Sequence, residues 1–139
     1  MKICVLADNL SEPYDEGFKK LSYNISKELS TFYDTVVISR EGSTKSFKFY
    51  KIDYNVFLLD RSLKSLFLDF KPNIILYIPF SSMTLNSFLR CIFLKIMSPY
   101  SKVILVGVQQ RNWNYLTKKI ISNLKQIKVL TPVLENLKQ

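Results

Sequence analysis

Five short apolar runs dictate what this chain can fold into: "KICVLA" (Lys2–Ala7), "TVVIS" (Thr35–Ser39), "NIILYI" (Asn73–Ile78), "KVILVG" (Lys102–Gly107) and "IKVLT" (Ile127–Thr131). Each is continuous rather than alternating, which is the pattern of a strand covered on both faces. The segments between them have a different rhythm. From Asp15 onward Phe18, Leu21, Ile25, Leu29 and Phe32 recur with a period near 3.6, predicting a helix with one buried stripe. Leu63, Leu66, Phe67 and Phe70 mark a second helix, with Asp60 as its N-cap and Pro72 as its stop. A third, capped by Ser81 or Ser82, carries Leu85, Phe88, Leu89, Ile92, Phe93 and Ile96 on its apolar side. "NWNYLTKKIISNL" reads as a fourth, and Pro132 sits where a further helix could begin. "FKFYKID" (Phe47–Asp53) alternates, as an outer strand with one wetter face would. Strands joined by helices need right-handed crossovers, so the expected architecture is α/β. The prediction is a Rossmann-like three-layer sandwich: a parallel sheet of about six strands, helices on both faces, one domain spanning residues 1–139.

Charge is distributed unevenly along this frame. Residues 1–60 hold 8 Lys/Arg against 9 Asp/Glu, whereas residues 61–139 hold 12 against 2, and the chain carries net +9. Such a half favours anionic partners, although a lysine-rich solvated surface gives the same count. No run approaches the roughly 20 apolar residues of a membrane span. Asp8 interrupts the first apolar run too early for a signal peptide. Cys4 and Cys91 fall in apolar patterns without metal-type spacing and read as small core hydrophobes in a reducing compartment. There is no histidine, so the commonest general base and metal ligand is absent from the chain.

Ligands of such sheets bind beyond the carboxyl ends of the strands, where strand order reverses. Three loops qualify. The first, Asp8–Gly17, is acidic through Asp8, Glu12, Asp15 and Glu16, and includes Tyr14 and Gly17. It lacks GxGxxG, and its carboxylates would repel a pyrophosphate, which argues against NAD or FAD; a Walker loop is missing too. Asp15 or Glu16 could equally cap the following helix, and Gly17 at its first turn would permit close approach of a ligand or a neighbouring strand. The second loop, Pro79–Ser82, offers Ser81. The third, "VQQRNW", offers Gln109 and Gln110 for sugar hydroxyls, Arg111 for a phosphate or carboxylate, and Trp113 for stacking or core packing.

Taken together, "MKICVLADNL", "DEGFKKLSYNISKEL", "VVIS", "FKPNIILYIPFSS", "KVILVGVQQR" and "IKVLTPVLENLKQ" resemble the N-terminal domain of GT-B glycosyltransferases, in particular the family-four retaining enzymes. The likeness runs over nearly the whole chain and rests on patterns of strand and loop. It implies sugar transfer from a nucleotide-sugar donor to a glycan or lipid-linked acceptor, with no metal or other cofactor. By the same resemblance this half binds the acceptor, and a C-terminal domain or partner subunit binds the donor. The family's elbow glycines approach the donor phosphate, and here only Gly17 matches them. Where the family often has a histidine at the end of the fourth or fifth strand, Tyr77–Ser81 and Gln109–Gln110 stand instead. Asn73 replaces a usual Asp.

The expectations are therefore an acceptor-side domain inactive without its second half, substrate contacts from Tyr14, Glu16, Gly17, Ser81, Gln109, Gln110 and Arg111, and a cytoplasmic location. Peripheral contact with the inner membrane face would use the helix near Leu85–Met97, through Arg90, Lys95 and an exposed Leu94, or the four lysines of "LTKKIISNLKQIK". The competing reading is a non-catalytic interaction or regulatory module, including a response-regulator-like switch. Nucleic acid is not an expected partner, because Phe18, Phe32, Phe67, Phe70, Phe88 and Phe93 sit at core spacing rather than forming a stacking platform.

Overall fold

The computed structural model describes residues 1–13, 17–42, 44–52, 54, 61–79, 85–106 and 127–130. In chain order its elements are β1 (Lys2–Ala7), α1 (Gly17–Phe32), β2 (Asp34–Ser39), β3 (Phe49–Lys51), α2 (Arg61–Phe70), β4 (Ile74–Ile78), α3 (Leu85–Met97), β5 (Lys102–Val106) and β6 (Ile127–Leu130). All neighbouring strands are parallel, in the order β3-β2-β1-β4-β5-β6. The chain thus starts at the middle of the sheet, builds outward to β3, then crosses back over β1 to add β4. β1 and β4 are hydrogen-bonded neighbours, Leu6 against Tyr77 and Ala7 against Ile78. Strand order reverses between them.

Alternation along each strand sorts the core onto two faces. Cys4 and Leu6 of β1 join Val36, Ile38, Ile75, Tyr77, Val103 and Leu105 in a cluster with Leu63 and Phe67 of α2 and Phe88, Cys91 and Leu94 of α3. Ile3, Val5 and Ala7 join Val37, Leu76, Ile78 and Val106 in a second cluster, against which Leu21, Ile25 and Leu29 of α1 pack. Both thiols are free and fully buried, and burial pushes Cys91 up to about 12 and Cys4 higher still. α2 ends where Pro72 requires: the Lys71 amide donates to the Phe67 carbonyl at 3.0 Å, with Lys71 in the left-handed region at φ 52°. The predicted fourth helix, the helix opened by Pro132 and the caps at Asp60, Ser81 and Ser82 lie outside the described residues.

Three expectations need correction. The outer strand spans only Phe49–Lys51, because Phe47 turns inward and packs on Tyr23, ring centroids 5.6 Å apart. Phe32, the last residue of α1, is exposed rather than part of the buried stripe. On α3 the buried stripe runs through Phe88, Cys91 and Leu94, so Leu94 is buried while Ile96 is exposed. Apolar residues on nearly every side of that helix left the sequence without a unique stripe. The inward pull on Arg90, described below, fixes the rotation. Leu94→Ala is accordingly expected to cost about 2–5 kcal/mol in chemical denaturation, whereas Ile96→Ser should fall within about 0.5 kcal/mol of the parent. Among the described residues no helix is long and apolar enough to cross a membrane.

Candidate functional site

β1 stops being apolar at Asp8, but its ladder continues for one more residue: the Asp8 amide donates to the Ile78 carbonyl at 3.1 Å. That bond fixes the Asp8 side chain by the same alternation that buries Cys4 and Leu6, so it points to the α2/α3 face. Tyr77 of β4 projects to that face as well. Tyr54, just past β3, and Arg90, on the second turn of α3, complete a cluster around one carboxylate.

Its geometry is tight. The Tyr54 hydroxyl donates to Asp8 Oδ1 at 2.5 Å, and the Tyr77 hydroxyl reaches both carboxylate oxygens at 3.2 and 3.3 Å. Arg90 Nη1 donates to Asp8 Oδ2 at 3.2 Å and to the Tyr77 hydroxyl at 2.6 Å. Both tyrosines are fully buried. The side chains of Arg90 and Asp8 are 13% and 7% exposed. Arg40, which follows β2, lays its guanidinium 5.6 Å from the centroid of the Tyr54 ring. The cluster ties the ends of β1 and β4 to α3 and to the segment after β3, directly beneath the point where strand order reverses.

Burial, then the charge of Asp8, pushes the hydroxyls of Tyr54 and Tyr77 well above their ordinary value of 10. For Arg90 burial works against the charge, but the Tyr77 oxygen, its hydrogen bond and Asp8 outweigh it and hold the guanidinium protonated. Above pH 10 the unfolded chain has released tyrosine protons that the folded chain retains. The folded state then binds more protons, so stability falls as pH rises, by about 1.4 kcal/mol per pH unit for each tyrosine. Urea titrations between pH 8 and 11 should show a decline that begins near pH 9, where the buried Cys4 and Cys91 act in the same sense, and steepens above pH 10; Tyr77→Phe should make the steeper part shallower.

The loop after β1 is held against the loop after β2. Leu10 is fully buried, its amide donates to the Glu41 carbonyl at 3.0 Å, and it forms a parallel bridge with Gly42. Asn9 Oδ1 accepts from the Ser11 amide at 2.8 Å and from its hydroxyl at 2.6 Å, turning the chain outward. Of the predicted contact residues only Gly17 falls among those described, together with Tyr77 from the end of the fourth strand. Gly17 opens α1 and is exposed, and a Cβ added there would meet nothing within 4 Å. Tyr77 is not presented to solvent, because Asp8 and Arg90 engage its hydroxyl. Tyr14, Glu16, Ser81, Gln109, Gln110 and Arg111 lie outside the described residues.

Arg90 corrects the expected membrane helix. Its guanidinium turns into the protein, and Lys95 Nζ donates back to the Ser101 carbonyl at 2.6 Å, so neither cation projects freely from α3. Sequence reasoning grouped Asp8 with an acidic elbow and did not single out Tyr54. A usable signal was the shared parity of Cys4, Leu6 and Asp8 in one strand with Ile75 and Tyr77 in the next. Among the described residues no group of three or more metal-ligating side chains forms. No protein-family model matches this chain, and no curated protein matches it.

Proposed function

We propose that this chain is the acceptor-binding half of a GT-B-type glycosyltransferase, built as a Rossmann-like three-layer sandwich. It would take part in moving a sugar from a nucleotide-sugar donor to a glycan or lipid-linked acceptor, with the donor held mainly by a second domain or partner subunit. One observation carries most of this reading: the loops after β1 and β4 leave the same sheet edge from adjacent strands at which strand order reverses. Tyr14, Glu16, Ser81 and the Gln109–Arg111 segment follow, in sequence, the carboxyl ends of β1, β4 and β5. The strand order also weighs against a response-regulator-like switch, whose order is 2-1-3-4-5. In this proposal the work is done on the cytoplasmic side. Any contact with an anionic membrane draws on Lys118, Lys119, Lys125 and Lys128 rather than on α3.

Saturation-transfer NMR with oligosaccharide acceptors and with a panel of nucleotide sugars tests the assignment. Acceptor resonances should be attenuated by the isolated chain, nucleotide sugars much less, and no product should form until the donor-binding half is supplied. If no sugar-bearing compound binds, the reading fails and a non-catalytic module takes its place. Gly17→Ala makes a clean companion probe. A methyl group there meets open space, so stability should change by less than about 1 kcal/mol. A loss of transfer by the reconstituted enzyme would then report a ligand at the start of α1.

A further inference from the structure

We propose that Arg90 is an anion-binding residue whose unpartnered Nε–H edge receives one phosphate or carboxylate group at the junction of β1 and β4. Among the described residues its hydrogen bonds leave from Nη1, to Asp8 Oδ2 and to the Tyr77 hydroxyl. Nε is buried and has no hydrogen-bond partner among the described residues. A buried N–H without a partner costs about 1–3 kcal/mol, which is why such groups are scarce in folded proteins unless something else satisfies them.

The geometry of a guanidinium turns this orphan into a prediction. Nε–H and one Nη2–H lie parallel along one edge of the plane, the fork that grips two oxygens of a carboxylate or phosphate. With Nη1 engaged by Asp8 and Tyr77, that fork faces away from the carboxylate. The arginine is held in place through Nη1, while its Nε–H is enclosed and unpartnered. Its side chain keeps 13% of its surface exposed. Asp8 acts here as a positioning residue, fixing the plane of the ring of donors. The location is where doubly wound sheets receive ligands. The inference stands whether or not the ligand carries a sugar, since it concerns only the oxyanion.

Titrating the ¹⁵N-labelled full chain with inorganic phosphate, and separately with glucuronate, at constant ionic strength distinguishes the two sources. The Arg90 Nε–H resonance should shift with saturation for at least one of them, while chloride leaves it in place. Arg90→Lys preserves the net charge and a cation facing Asp8 but removes the fork, and should weaken the responsive anion at least 10-fold by calorimetry. If Arg90→Lys does not fold, the double variant Asp8→Asn/Arg90→Gln removes both charges together and should show the same loss. Equal binding by wild type and variant would overturn the proposal, as would an Nε–H resonance that neither anion moves. Because the readouts are binding of simple anions, they can fail while sugar transfer succeeds, or the reverse.

Discussion

Replacing Asp8 by alanine is expected to destabilise the fold by about 3–5 kcal/mol, the cost of breaking a buried ion pair by removing one partner. The substitution strands three donors at once. Arg90 loses its counter-ion with its side chain only 13% exposed, and the fully buried Tyr54 loses the acceptor of its 2.5 Å hydrogen bond. Tyr77 keeps only the bond it accepts from Arg90. An alanine cavity cannot satisfy these groups unless water enters. In urea the midpoint should fall with an unchanged slope, as for a loss of stability without a change in the surface exposed. Removing both charges, as in Asp8→Asn/Arg90→Gln, should cost less than Asp8→Ala, because no unpaired ion is left behind. Tyr54→Phe should sit lower still, at about 1.5–3 kcal/mol for one hydrogen bond to a charged group. A cost below 1 kcal/mol for Asp8→Ala would show that the cluster does not hold the sheet end together.

That network also marks the limit of what the sequence made legible. Continuous apolar runs located every strand of the sheet core, because burial on both faces leaves no other composition open to "CVLA" or "IILYI". Pro72 located the end of α2 for an equally local reason. The candidate site depends on different information. Tyr54, Tyr77 and Arg90 lie 46, 69 and 82 residues from Asp8, whose carboxylate they share. Only the crossover from β3 back to β4 brings them together. Read locally, Asp8 looked like the first of several acids in a polar turn, and Arg90 like one cation on a helix rich in exposed options. Strand parity pairs Asp8 with Tyr77 once β1 and β4 are known to be neighbours, but adjacency is a property of topology. Gln109 and Arg111 follow the carboxyl end of a strand and carry suitable side chains, but neither property fixes where a loop goes.

Glycine gives the sharpest contrast between local and long-range constraint. Gly17 invites attention because it lies in the elbow after the first strand, yet a methyl group there meets nothing within 4 Å. Gly42 sits in what reads as an ordinary polar turn, and of the two described glycines it is the one the fold requires. Its φ is +111°, a conformation L side chains rarely adopt. A Cβ at that position would drive into the carbonyl carbon and oxygen of Leu10 and come within 2.7 Å of the Ser11 amide nitrogen. These are backbone atoms of a buried residue that is bridged to Gly42 and bonded to Glu41, so neither side can yield cheaply. Backbone strain costs about 1–3 kcal/mol, and forcing the two segments apart adds a comparable amount. Gly42→Ala is therefore expected to destabilise by about 2–5 kcal/mol, against less than about 1 kcal/mol for the same change at Gly17. The damage should also be local in a readable way. Hydrogen exchange at the Leu10 amide should accelerate far more than at Val5 or Leu76, because the Leu10–Glu41 bond opens before the strands do. Equal stability of the two alanine variants would mean that the loops after β1 and β2 are not held together, and that the path from Asp8 to α1 is set by something other than this bridge.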